Sequence, residues 1–180
     1  SVFTDDVAAA DCAVSYLIEQ GHRSIAVIGG DPTISDTSRM RLQGCVQAML
    51  RNGIAGPVAR EAALYSYEGG YATTKRILEK KTDVTAIFAM ADVMAIGAIR
   101  ALRDAGCRVP EDISVCGFDG LQLSDYFLPQ ITTVRQSVDE LAVRGAKLLM
   151  RSIEGRGPAV HESVPFTLER RESVAAVKAR

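Results

Sequence analysis

The chain has 180 residues, 47% hydrophobic and 24% charged, a balance that excludes intrinsic disorder and suffices for one domain, or one and part of a second, with a full apolar core. Its 21 Lys and Arg against 22 Asp and Glu leave a net charge of -1, without the basic footprint that direct nucleic-acid binding requires. No apolar run approaches the ~18 residues of a membrane span, and no basic stretch followed by a hydrophobic one opens the chain.

Between residues 6 and 20 the apolar positions Val7, Ala10, Val14, Leu17 and Ile18 recur at helical spacing, with Asp5 or Asp6 placed to cap the start and Gly21 to stop the end. The run SIAVIGG over 24–30 reads as a strand buried on both faces of a parallel sheet. After the polar loop DPTISDTS, a helix is predicted over 39–52 and stopped by Gly53, then a weaker strand near 62–65 and a helix over 69–80. TAIFAM (85–90) is another buried strand, 92–105 a helix closed by Gly106, and ISVCGF (113–118) a further strand. Short apolar strands alternating with amphipathic helices predict an α/β fold, a parallel, doubly wound, Rossmann-like sheet with helices on both faces. In such sheets ligands bind beyond the carboxyl ends of the strands, so the loops after Gly29, Tyr65, Met90 and Phe118 are the places to look.

Beyond Asp119 the rhythm changes. LQLSDYFLPQ is an irregular connection, ITTV a brief strand, and 137–154 a strongly amphipathic helix with Val138, Leu141, Ala142, Leu148, Leu149 and Ile153 on one face. GRGP reads as a linker, and 160–168 as one more strand before a polar tail. An apolar face of six residues requires a cover, because each Leu or Ile left in water forgoes about 1.5–3 kcal/mol.

Several chemistries lack their motifs: there is no G-x-G-x-x-G, Walker A loop, H-E-x-x-H or G-x-S-x-G. His22 and His161 have no His or Cys partner at ligand spacing, which argues against a metal site and, with no cofactor motif, against an enzyme. Cys12, Cys45, Cys107 and Cys116 are scattered through apolar runs without a C-x-x-C, the usage of a reducing cytoplasm. Arg41 falls in the first turn of its predicted helix, where a cation opposes the helix dipole; it is either a solvated arginine or a guanidinium serving a hydroxyl-rich or anionic ligand. Asp119 ends a buried strand and is either a cap or a ligand acceptor. Tyr65 offers a flat face to a sugar or base, or simply packs.

GHRSIAVIGG, the R-L-Q-G of residues 41–44, FAMADVMAIGAIRAL, VPEDISVCGFD and PQITTVRQ, in this order and spacing, resemble the regulatory core of the LacI/GalR family of transcription factors over residues 2–171. The resemblance implies one lobe of a periplasmic-binding-protein-like core over 1–126, a crossover strand and helix over 127–157 belonging to a second lobe, and a returning strand and tail over 158–180. It places Arg41 and Asp119 on effector hydroxyl or polar groups, Tyr65 over the effector ring and Thr37 in a ligand-contacting loop. Ala91 and Val93 depart from the family's polar residues there, and Asp92 reads as a helix-start acid rather than a ligand group. Ile96, Arg100, Tyr126, Phe127 and Leu128 match a pairing surface, implying a homodimer, with intrachain packing as the alternative.

The expected function is thus the effector-sensing part of a cytoplasmic transcriptional regulator, binding a sugar-like or purine-like metabolite and reaching operator DNA through a helix-turn-helix head outside these residues. The competing reading is a periplasmic sugar-binding protein of a transport system.

Overall fold

The computed structural model describes residues 1–80, 82–154 and 160–177; the expected GRGP linker lies outside the described residues. In chain order the elements are β1 (Val2–Thr4), α1 (Asp6–Glu19), β2 (Ile25–Gly29), α2 (Asp36–Arg51), β3 (Ala59–Ala62), α3 (Tyr67–Glu79) and β4 (Ala86–Ala89). They continue with α4 (Asp92–Asp104), β5 (Ser114–Asp119), α5 (Leu123–Tyr126), β6 (Thr132–Gln136), α6 (Val138–Ile153), β7 (Glu162–Val164) and β8 (Phe166–Glu169).

Six strands form one sheet in the order β3-β2-β4-β5-β6-β8, parallel throughout except that β8 runs antiparallel to β6. Alternate residues of the central strands feed two apolar layers. Val27, Phe88, Cys116 and Phe118 meet α1 and α2 on one face; Ala26, Ile28, Ile87 and Val115 meet the α3 and α4 side on the other. Burial on both faces is why these strands read as continuous apolar runs. Helices α3 and α4 approach so closely that a Cβ on Gly97 would collide with the Tyr67 carbonyl.

The sheet starts in its interior at β2, steps outward to β3, then returns past β2 to β4. The crevice between the carboxyl ends of β2 and β4 is therefore a topological switch point, where open α/β sheets take their ligands.

Three expectations are corrected. The strand near 62–65 lies earlier, at Ala59–Ala62. The single strand over 160–168 is two strands separated by Pro165: β7 pairs with β1 in a small parallel sheet, and β8 joins the main one. The crossover strand expected to belong to a second lobe is an internal strand of this sheet, hydrogen-bonded to β5 and β8. The tail is pinned, since Val115 N–H donates to the Ser173 carbonyl and Val177 N–H to the Gln20 carbonyl.

Helix α6 packs chiefly on β1. The expectation that its apolar face is covered is not met within the chain: Val138, Leu149 and Ile153 are 63%, 62% and 70% exposed.

Candidate functional site

Helix α2 opens on Ser35, whose side chain accepts from Ser38 N–H at 3.2 Å. This cap starts the helix three residues before the predicted position. Arg41 therefore lies in the second turn rather than the first, and Thr37 in the first turn rather than in a loop. Thr37, Ser38 and Arg41 stand at i, i+1 and i+4, so Thr37 and Arg41 share one helical face.

Arg41 is 6% exposed and engaged at Nε and Nη1. Its Nε donates to Asp6 Oδ1 at 2.8 Å, its Nη1 to the Met90 carbonyl and, at 3.4 Å, to Asp119 Oδ1. The guanidinium carbon lies 3.7 Å from the Phe118 ring centroid. Met90 follows β4 and Asp119 ends β5, so the side chain is held against the carboxyl edge of the sheet beside the switch point. The solvated-arginine alternative is excluded by this burial.

Asp119 has φ 107, a left-handed-side backbone that non-glycine residues rarely adopt and that costs on the order of 1–3 kcal/mol. Its Oδ1 accepts from Gln136 Nε2 at 2.9 Å. Burial pushes its carboxyl up to about 6, with Arg41 opposing the shift and Asp92 adding to it.

Tyr65 sits in the loop after β3, 38% exposed, its hydroxyl hydrogen-bonded to the buried Ser38 Oγ at 2.9 Å. Tyr65 thereby joins the Arg41 end of α2 through Ser38. The expected residues are brought together: Arg41 touches Asp119, Tyr65 is tied to the same helix, and Thr37 shares its face. A groove of about 190 Å³ beside them is lined by Gly29, Gly30, Asp31, Ser38 and Met90, and an open one of about 570 Å³ runs from Asp119 and Gln136 to Val138 and Glu140. The donor of Arg41, the acceptor of Asp119 and the ring of Tyr65 can together hold a flat, hydrogen-bonding ligand.

Asp92 is fully buried and faces inward. It accepts from Leu121 N–H at 2.7 Å, Ser124 Oγ at 2.8 Å and Thr133 Oγ1 at 2.6 Å, fixing the loop after β5 to the sheet. Burial raises its pKa against those bonds. Ala91, at the N-cap, makes no side-chain cap bond and is 3% exposed, while Val93 is partly buried in the α4-side core.

Asp6, Ser38 and Gln136 were not singled out from sequence. Of the two cap candidates Asp5 and Asp6, Asp5 caps α1, accepting from Ala8 N–H at 2.9 Å, which leaves Asp6 to Arg41. Of the expected pairing surface, Ile96 is buried in the core and Phe127 packs on it, the intrachain packing that was the alternative for these two residues. Tyr126 and Leu128 are 77% and 73% exposed, and Arg100 is paired with Asp104.

Residues 14–174 match the family model of the periplasmic binding protein-like domain. The repressor PurR of Pasteurella multocida (strain Pm70), a helix-turn-helix-type transcriptional repressor, is 39% identical over 142 residues, 78% of this chain and 42% of its own length. A LacI family transcriptional regulator from Enterococcus faecium, solved with bound ribose, superposes with a TM-score of 0.90 at 30% identity, over 98% of this chain and 66% of that one. A dimeric lac repressor with an 11-residue C-terminal deletion gives 0.93 at 30% identity, over 99% and 65%. The chain thus spans about half the length of the curated relatives it matches. The curated relatives are helix-turn-helix-type transcriptional repressors, PurR and CytR by name and ExuR of Bacillus subtilis as a probable one, a non-enzymatic class. The chain belongs to the periplasmic binding protein-like domain family, in the form carried by LacI-type transcriptional regulators.

Proposed function

We propose that this chain is the effector-sensing part of a bacterial LacI/GalR-type regulator, working in the cytoplasm. It binds a small sugar-like or purine-like metabolite between Arg41, Asp119, Tyr65 and Thr37. One observation carries the reading: a buried arginine and a strained aspartate, 3.4 Å apart, stand at the carboxyl edge beside the sheet's switch point. Strain at such a position persists where the surrounding structure enforces it, and it clusters at ligand sites. Effector binding shifts a conformational equilibrium, which requires the ligand to prefer one state. Operator contact belongs to a helix-turn-helix segment outside these 180 residues, and pairing to a surface that includes Arg100, Tyr126 and Leu128.

The test is a calorimetric screen of sugars, nucleosides and purines, repeated on Arg41→Ala. The variant is expected to lose about 1.5–3 kcal/mol of affinity for the ligand found, the worth of a hydrogen bond to a charged group. Affinity unchanged in a folded Arg41→Ala protein would remove Arg41 from the site and overturn the reading.

A further inference from the structure

Two carboxylates flank the single guanidinium of the candidate site. Asp6 holds Arg41 Nε at 2.8 Å from α1, and Asp119 faces Nη1 at 3.4 Å from the end of β5. Neither Asp6 nor Arg41 is well solvated, with side-chain exposures of 13% and 7%, so their charges act on each other with little screening. Asp6 is free for this because the neighbouring Asp5 already caps α1.

The other charges around the cluster are occupied elsewhere. Arg135 donates to the Gly120 carbonyl and Asp125 and pairs with Glu169. Arg39 pairs with Asp36, Arg144 with Glu140, and Glu61 with Arg76 and Lys80. Arg60 lines the smaller groove together with Asp31 and Glu61. Asp92, behind Asp119, is taken by Leu121, Ser124 and Thr133. Among the described residues Arg41 is the one buried cation at this edge of the sheet, and it is already neutralised.

We infer that Asp6 is a specificity-determining residue: by cancelling the charge of Arg41 it makes this lobe accept an uncharged hydroxyl- or amide-bearing group and turn away phosphate and carboxylate. The inference rests on the cleft reading above. An anion placed against Arg41 would meet one positive and two negative charges at similar range, so its desolvation would go uncompensated. A neutral hydroxyl pays no such cost and still finds a donor and an acceptor side by side. Asp6 also fixes the aim of the guanidinium, since Nε, Nη1 and the ring-facing surface are all held before any ligand arrives.

The experiment is a titration with inorganic phosphate, in the full natural protein, following the arginine side-chain N–H signals by NMR. The Arg41 signals are those lost in Arg41→Lys. In the wild type they are expected not to move. In Asp6→Asn, which keeps an oxygen acceptor for Nε but removes the charge, they should shift with phosphate bound at least about tenfold more tightly. Asp6→Ser serves in the same way if the Asn variant does not fold, and if neither folds the wild-type titration decides alone. Phosphate moving the wild-type signals as strongly as the variant's, or failing to move those of a folded variant, would overturn the inference. A purely structural Asp6 would change stability without changing this preference for charge. A neutral ligand that binds the protein yet leaves the Arg41 signals in place would instead sink the cleft reading.

Discussion

Gly30 lies so close to Tyr65 that a Cβ on it would stand 2.7 Å from Tyr65 Cε2, and it would also overlap Ser38 Oγ. Space, not backbone conformation, demands glycine here. The Gly30→Ala protein must move the ring and break the Tyr65–Ser38 hydrogen bond. Because Tyr65 can swing towards solvent, the stability cost should stay near 1 kcal/mol, the worth of the lost bond. Effector affinity should fall by a similar or larger amount as the ring leaves its place. Calorimetry and thermal unfolding on the same variant check both; undiminished affinity would take Tyr65 out of the site.

Asp119 should be a costly residue. Its carboxyl is pushed from 3.8 up to about 6 by burial, and a raised folded pKa gives stability that is full below the unfolded value and lost as pH rises through about 6. At neutral pH the charged form is thus a liability. Allowing for its 30% side-chain exposure, Asp119→Asn should stabilise the protein by about 1–2 kcal/mol above that pH, and the gain should vanish in acid. Asn also tolerates positive φ better than most residues. Urea unfolding on both sides of the transition is the measurement; a variant less stable than wild type at neutral pH would refute the assignment. Effector affinity should drop in the same protein, a stability gained at the expense of binding.

The fold was legible because strands buried on both faces leave unbroken apolar runs and amphipathic helices keep their period between them. What escaped were features set by capping and by distant partners. The polar stretch before α2 hid the Ser35 cap, and that displaced Arg41 by a turn. The dipole argument made for Arg41 therefore does not apply; its charge is met by Asp6, 35 residues away, a pairing that no local spacing encodes. Ser38 and Gln136 serve the site through Tyr65 and Asp119 and carry no motif. Pro165 could have signalled the break between β7 and β8, since proline cannot donate to a ladder. Placing β6 outside the sheet came from the family analogy rather than from its residues.

His22 marks the opposite end of the sheet. It is 3% exposed, and with Nε2–H donating to the Ala175 carbonyl at 3.1 Å, Nδ1 accepts from the Thr85 hydroxyl at 3.0 Å. Burial lowers its pKa from 6.5, with the Ala175 carbonyl opposing. A lowered folded pKa means stability that is complete above 6.5 and lost as pH falls from there through the folded value. His22→Gln, which can keep the bond to Ala175 but does not titrate, should flatten the fall in stability across that window. Urea midpoints over a pH series test it; parallel curves for the two proteins would show that His22 contributes nothing to the dependence.

Helix α6 gives the opposite expectation from a core helix. Leu149 and Ile153 are 62% and 70% exposed, and no residue of the helix is fully buried. Within this chain their removal forfeits little burial, so Leu149→Lys with Ile153→Lys should change its unfolding free energy by no more than about 0.5 kcal/mol. Val134, fully buried on the neighbouring strand β6, supplies the contrast: Val134→Ala removes two core methyl groups at about 0.8 kcal/mol each, before any cavity cost. The double lysine variant should also bind less of a hydrophobic dye and stay dispersed at higher concentration, because a contiguous apolar stripe is removed from the surface. A loss of several kcal/mol in that variant would mean that the face of α6 is covered after all when the chain is in solution.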